Sequence, residues 1–396
     1  MLKNQTSRRQ FLKDASLTVA GTMMVPAFLK GTSMSEFSSD GRRLIVIQLS
    51  GGNDGLNTVV PFRNDYYYKY RSRIAHNPHD VLRLNDDMAL HPLMTGIKSL
   101  FDSGDLTIIN NVGYPNPNRS HFRSMDIWHS ASDSKEYIST GWLGRYLDNE
   151  CSGCKTHAGI EISNLLDLAL KGEKKKGLPL VNPQQLYSSF RGVKIEKQNT
   201  GNNEAADFLY KTIAQTKSSA EYIFKTSKNY KSKLTYPNNE FGRSMKTIAE
   251  LIISGIDTQI FYASLGGFDT HYKQVGRQNN LLKMYSDAMN VFIKELKSNN
   301  QWSNTLVLTF SEFGRRVKEN GSLGTDHGKA NNVFIMGGNL KRKGFYNNPP
   351  DLLNLDNGDL KHEIDFRQVY STILDKWLKA DADTILLNKY ERLKFI

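Results

Sequence analysis

Residues 304–334, NTLVLTFSEFGRRVKENGSLGTDHGKANNVF, constrain the fold more than any other stretch of the chain. The run Thr305–Phe310 is short, apolar and rich in β-branched residues, the pattern of a parallel strand buried on both faces. Open α/β sheets gather their chemistry at the carboxyl ends of such strands. Here that end is followed by Glu312, Arg315, Arg316, Asp326 and His327. An acid, two guanidiniums and an Asp-His pair so close together suit a metal ion and an anion.

Other strand ends carry similar groups. Residues 43–49 (RLIVIQL) run into Ser50-Gly51-Gly52-Asn53-Asp54. The glycines let the backbone turn sharply beside a ligand, and Asp54 reads as a metal ligand, a turn residue or a helix cap. The spacing G-x-G-x-x-G is absent, so no dinucleotide fingerprint is present. A strand over 105–112 enters a Pro/Asn-rich loop that ends at Ser120. That residue reads as the N-cap of a helix over 122–130, or as a nucleophile at a helix end that favours anions, with Arg119 and Arg123 close by. A strand over 258–264 leads to Gly266-Gly267-Phe268-Asp269-Thr270-His271, where Asp269 and His271 are spaced to share one ion. A long helix over 281–296 returns the chain to Thr305, a strand follows at 332–336, and a helix over 364–378 packs on the sheet. The expected fold is α/β: a doubly wound, mostly parallel sheet flanked by helices. Residues 40–396 form the domain, and the polar segment 198–243 is a helical insertion or lid.

The N-terminus reads as an address. Ser7-Arg8-Arg9-Gln10-Phe11-Leu12-Lys13 is a twin-arginine motif, and the apolar stretch 15–29 after it is too short to span a membrane. Residues 1–39 are therefore expected to be a signal peptide and linker, read by the twin-arginine translocase, with a periplasmic or extracellular destination. The net charge is +12, of which about +8 lies beyond residue 35. That balance favours anionic partners, and no basic-aromatic module points to nucleic acid. A mean hydropathy of −0.51 excludes a polytopic membrane protein. The two cysteines, Cys151 and Cys154, read as a local disulfide in an oxidising compartment.

The segments QLSGGNDGLNTVVP, GYPNPNRSHFRSMDIWH, GWLGRYLD, GGFDTH, TFSEFGRR and GSLGTDHG, spread over residues 43–378, together resemble the exported bacterial family known as domain of unknown function 1501 (DUF1501). That family is grouped with the alkaline phosphatase, phosphomutase and sulfatase superfamily. The resemblance implies an alkaline phosphatase-like fold and a divalent metal (Zn, Mn, Ca or Mg). It places Asp54, Ser120 and Glu312 around one ion, and Asp269, His271 and His327, with Asp326 beside it, around another. Ser120 would attack a phosphate or sulfate ester of an anionic small molecule or glycan, and Arg119, Arg123 or Arg315 would offset developing charge. Phe313 departs from the pattern, since a histidine is usual there, and the local sulfatase motif is absent, which favours phosphate. The alternative implied is a non-catalytic metal- or glycan-binding protein of the same fold that works with an exported partner.

Overall fold

A computed structural model describes residues 41–150, 155–193 and 204–396. Its central strand, β1 (Arg43–Ser50), is buried along its inner residues because both faces are covered. Leu44 and Val46 project into one apolar core, while Ile45, Ile47 and Leu49 project into another. The elements that build these two layers are, in order, α1 (Thr95–Asp102), β2 (Leu106–Gly113), α2 (His121–Ser130), α3 (Trp142–Glu150), β3 (Gly159–Glu161), β4 (Leu178–Pro179), α4 (Pro183–Phe190), α5 (Glu204–Thr226) and α6 (Glu240–Ile253). They continue with β5 (Ile260–Gly266), α7 (Gln274–Ser298), β6 (Thr305–Phe310), β7 (Asn331–Gly337), β8 (Gly344–Phe345), β9 (Ile364–Asp365) and α8 (Phe366–Thr372).

Among the described residues, nine strands make one sheet in the order β8-β2-β7-β6-β1-β5-β3-β4, with β9 also on β2. Strand β1 runs parallel to β5 and β6, whereas β7 is antiparallel to both β6 and β2. Helices α2, α3 and α8 cover one face through Trp128, Trp142, Tyr146 and Tyr370. Helices α1, α6 and α7 cover the other through Ile97, Met245, Tyr285 and Phe292. The expected sheet, mostly parallel and flanked by helices, is the observed one. The reversal of β7 was not anticipated, because an apolar run carries no direction in its composition. Helix α8 is capped by Asp365 and Gln368 in a capping box.

The cysteine pair and residues 1–39 lie outside the described residues, as do residues 198–203 of the expected insertion. Of the rest, residues 204–226 form α5, residues 227–239 are irregular, and α6 begins inside the insertion. Ser219 of α5 bonds His157, just before the amino end of β3. Tyr230 and Tyr236 bond Glu295, near the end of α7 that feeds the amino end of β6. These contacts put the segment at the amino edge of the sheet, away from the strand ends expected to carry the chemistry. No helix among the described residues is long and apolar enough to cross a membrane.

Candidate metal centre

Four strand ends meet at one edge. Because β7 is antiparallel to its neighbours, its amino end lies with their carboxyl ends, and the residues before it share that edge. The segment 312–330 folds back on itself: Arg316 N donates to Asp326 O, Gly328 N to Gly314 O, and Arg315 pairs with His327. The end of β1 passes against it through Gly51 (φ +116°) and Gly52 (φ +68°). A Cβ on Gly51 would sit 2.5 Å from Asp269 N, and one on Gly52 would sit 2.2 Å from the Phe313 ring. Both the left-handed backbone and the close approach therefore require glycine.

Three imidazoles converge on one carboxylate there. Asp269 Oδ1 lies 3.5 Å from His121 Nε2, 3.0 Å from His271 Nε2 and 3.2 Å from His327 Nε2. Donor atoms of His121, Asp269 and His327 all fall within 4.8 Å of one another. Each ring is held from behind through Nδ1. His121 Nδ1 meets Glu312 Oε1 at 2.8 Å, His271 Nδ1 meets Asp326 Oδ1 at 3.2 Å, and His327 Nδ1 meets the Arg119 carbonyl at 2.7 Å. A carbonyl only accepts, so His327 carries its proton on Nδ1 when neutral. Acceptors behind all three rings leave Nε2 lone pairs facing the centre, the usual backing of metal-ligating histidines. The Nε2 atoms of His271 and His327 stand 2.9 Å apart. Two lone pairs at that distance repel unless a proton or cation stands between them. His121 Nε2 is buried and has no hydrogen-bond partner among the described residues. The donor set therefore fits a cation. Phe313 forms the floor, its ring 4.8 Å from that of His121 and 4.7 Å from that of His327.

The charges are poised accordingly. Burial tends to raise the Asp269 carboxyl, but the hydrogen bond from Arg315 and its positive charge hold it well below the usual carboxylate range. The bond to Glu312 raises His121, against the opposing pull of burial.

The sequence matches, over residues 41–377, the family model described as "Protein of unknown function (DUF1501)". The chain belongs to the DUF1501 family. A comparison with curated proteins finds no match. Among solved structures, the chain is similar to PsFucS1 sulfatase from Pseudoalteromonas sp. (12% identity, 90% of this chain and 73% of that one, TM-score 0.38). It is also similar to the C-terminal periplasmic domain of EcEptC from Escherichia coli in complex with Zn (10% identity, 76% and 75%, TM-score 0.35). A third is a protein in the alkaline phosphatase superfamily from Vibrio parahaemolyticus (10% identity, 77% and 62%, TM-score 0.36). At such scores the chemistry of this DUF1501 chain is left to its own residues.

Of the residues expected at the site, Asp269, His271 and His327 are brought together. Asp326 stands one bond behind, on His271 and Asn320. Glu312 is fully buried and also stands behind, its Oε1 accepting from His121 Nδ1 and from Gly51 N. Asp54 is not brought to the group. It is 1% exposed and binds Arg71 at 2.5 Å and the Gln274 amide. The guanidiniums expected to meet an anion are also committed elsewhere. Arg315 donates to the carbonyls of Gly51, Gly52, Phe268 and Thr325 as well as to Asp269, so it pins three loops together. Arg123 donates to the carbonyls of Asp133, Ser134 and Glu136, and Arg119 pairs with Asp359. Ser120 is exposed and is the N-cap of α2, but its side chain makes no capping bond. His121 was missed. The signal was a histidine at the first position of a helix that leaves a strand end, overshadowed by the serine before it.

Proposed function

We propose that His121, His271, His327 and Asp269 hold one divalent metal ion, and that the chain is an exported hydrolase of phosphate or sulfate esters. The observation that carries this reading is the convergence of three backed Nε2 atoms on Asp269 Oδ1. Imidazole-rich donors suit Zn better than Mn, Ca or Mg, which prefer oxygen ligands. A bound ion would hold the non-bridging oxygens of an ester and lower the pKa of a nearby hydroxyl. The chain's own part falls to Ser120, whose hydroxyl is not used as a cap and which adjoins His121. Its Oγ bonds to phosphorus or sulfur as the ester bond breaks, and the leaving alcohol takes a proton. Water then releases the acid and restores the serine. With Arg119, Arg123 and Arg315 committed, the imidazoles and the ion must meet the anion's charge. The Ser7-to-Lys13 motif supports twin-arginine export to the periplasm or beyond.

A second reading is favoured by Phe313 and Asp54. With an aromatic ring at one expected ligand position and Asp54 held by Arg71, the second ion of a paired-metal site has no evident place. A chain that binds one metal and an anionic ligand, and serves an exported partner without turnover, follows from the same geometry. Metal analysis of purified protein, with assays on aryl phosphates and aryl sulfates in added Zn, Mn, Mg or Ca, separates the two. The hydrolase reading expects one bound ion per chain and turnover abolished by Ser120→Ala with metal content unchanged. Metal-bound but inert protein supports the second reading, and metal-free, inert protein sinks both.

A further inference from the structure

The three imidazoles of the centre are not held equally. The His271 side chain is 43% exposed, against 24% for His121 and 21% for His327. The Asp326 carboxylate behind it is exposed as well, whereas Glu312, behind His121, is fully buried. Water competes for an exposed bond of this kind. Such a backing can fix a ring only if the carboxylate is itself held in place.

Asn320 holds it. Its Nδ2 donates to Asp326 Oδ1 at 3.1 Å and to the His271 carbonyl at 3.0 Å. Its Oδ1 accepts from Ser322 N at 2.9 Å and from Gly324 N at 3.1 Å. Both donors and both lone pairs of the amide are therefore used. Turned over, the amide would set oxygen against oxygen and N–H against N–H, so the hydrogen-bond network fixes its orientation. Asn320 thus grips His271 at two points, the main chain directly and the ring through Asp326. The bonds from Asn320 to His271 O, from His271 Nδ1 to Asp326 Oδ1 and from Asp326 Oδ1 back to Asn320 close a circuit around the ring. The segment that carries Asn320 lies flat along the chain beyond His271. Lys273 N donates to Ser322 O and Gln274 N to Leu323 O. A Cβ on Gly324 would collide with the His271 carbonyl. From the other side Arg73 pairs with Glu319 at 2.7 Å and donates to the Asn320 carbonyl at 2.8 Å.

We infer that Asn320 is a positioning residue of the metal centre, which sets the rotation of the His271 ring without touching the ion. The inference rests on the proposed metal site. The test is zinc affinity by chelator competition, with the visible spectrum of the cobalt-substituted protein, on purified wild-type, Asn320→Ala, His271→Ala and the double variant. Wild type should bind one ion. Asn320→Ala should weaken zinc roughly tenfold, as loss of an outer partner of a ligating histidine does, and should alter the cobalt spectrum. His271→Ala should weaken zinc further. Adding Asn320→Ala to His271→Ala should then change neither affinity nor spectrum, because the ring that Asn320 positions is gone. A merely structural role would weaken both backgrounds alike. If Asn320→Ala does not fold, Asn320→Ser takes its place in both. The inference is overturned if Asn320→Ala binds zinc as wild type does, or if its loss persists in full in the His271→Ala background. Wild-type protein that holds no ion removes the metal reading itself, and the inference with it.

Discussion

Two turns of the same sequence type end neighbouring parallel strands and meet opposite fates. Gly51-Gly52-Asn53-Asp54 follows β1, Gly266-Gly267-Phe268-Asp269 begins on the last residue of β5, and Ser50 and Gly266 are register partners. Asp54 turns inward, 1% exposed, between Arg71 and Gln274. Asp269 stays 47% exposed and gathers three imidazoles. A strand-end Gly-Gly-x-Asp thus delivers a carboxylate to the edge, and distant segments decide its use. Arg71 comes from the segment after β1, and Gln274 from the start of α7. The histidines at Asp269 come from α2, its own loop and the loop before β7.

The largest effect to expect from this difference is on stability. Asp54→Ala leaves the Arg71 guanidinium buried without its counter-ion, which costs on the order of 3–5 kcal/mol. Asp269→Ala removes a half-exposed partner from an Arg315 that keeps four carbonyl acceptors, and such exposed pairs are worth about 1 kcal/mol or less. Guanidinium unfolding curves of both variants, with metal content alongside, should show Asp54→Ala unstable and Asp269→Ala stable but metal-depleted. Equal losses of stability would erase the distinction.

The sequence makes the strands readable because β1 and β6 are continuous apolar runs, and the acids are readable because glycines mark the turns behind them. Three things are not local and so were not readable. The reversal of β7, which brings His327 to the edge, depends on the path of the whole 312–330 segment. The saturation of Arg315 depends on carbonyls from two other loops and from Thr325 across its own segment. The burial of Asp54 depends on Arg71, which nothing in the sequence near Asp54 announces. His121 was visible as a residue type at a helix start, but its role needed Glu312 behind it.

Glu312 sharpens the metal side of the comparison. It touches His121 Nδ1 and Gly51 N and acts by positioning the ring. Glu312→Gln should lower metal affinity by about 10–100-fold, read by chelator competition and by the visible spectrum of the cobalt-substituted protein. Asp326→Asn, on a side chain 57% exposed, should fall at the weak end of that range. Unchanged affinity in Glu312→Gln would place His121 outside the metal site.

Phe313→His asks whether one residue separates this site from a two-ion one. Phe313 is 1% exposed and packed against Gly52, so an imidazole there is buried with its polar atoms poorly matched, at a cost of about 1–3 kcal/mol. Asp54 remains tied to Arg71, so the stoichiometry should stay at one ion per chain. A second equivalent of bound zinc would mean that Asp54 is released more easily than its burial implies.

A pH effect lies on the Asp54 side, where two further histidines, His76 and His91, pack edge-on at 4.5 Å. Burial pushes both down to about 4, against the pull of Asp54 on His76 and of Asn279 on His91. Their folded values lie below the unfolded value near 6.5, so the stability they contribute is present above about pH 6.5. It is lost as the pH falls toward about 4, because the unfolded chain takes up protons that the folded chain refuses. Between pH 7 and 5 the expected loss is roughly 2 kcal/mol per histidine, seen as a lower melting temperature in the metal-free protein. His91→Gln keeps the hydrogen bonding but not the titration, and should flatten that slope. A wild-type melting temperature that stays level over this range would show that His76 and His91 are wetter than their burial implies.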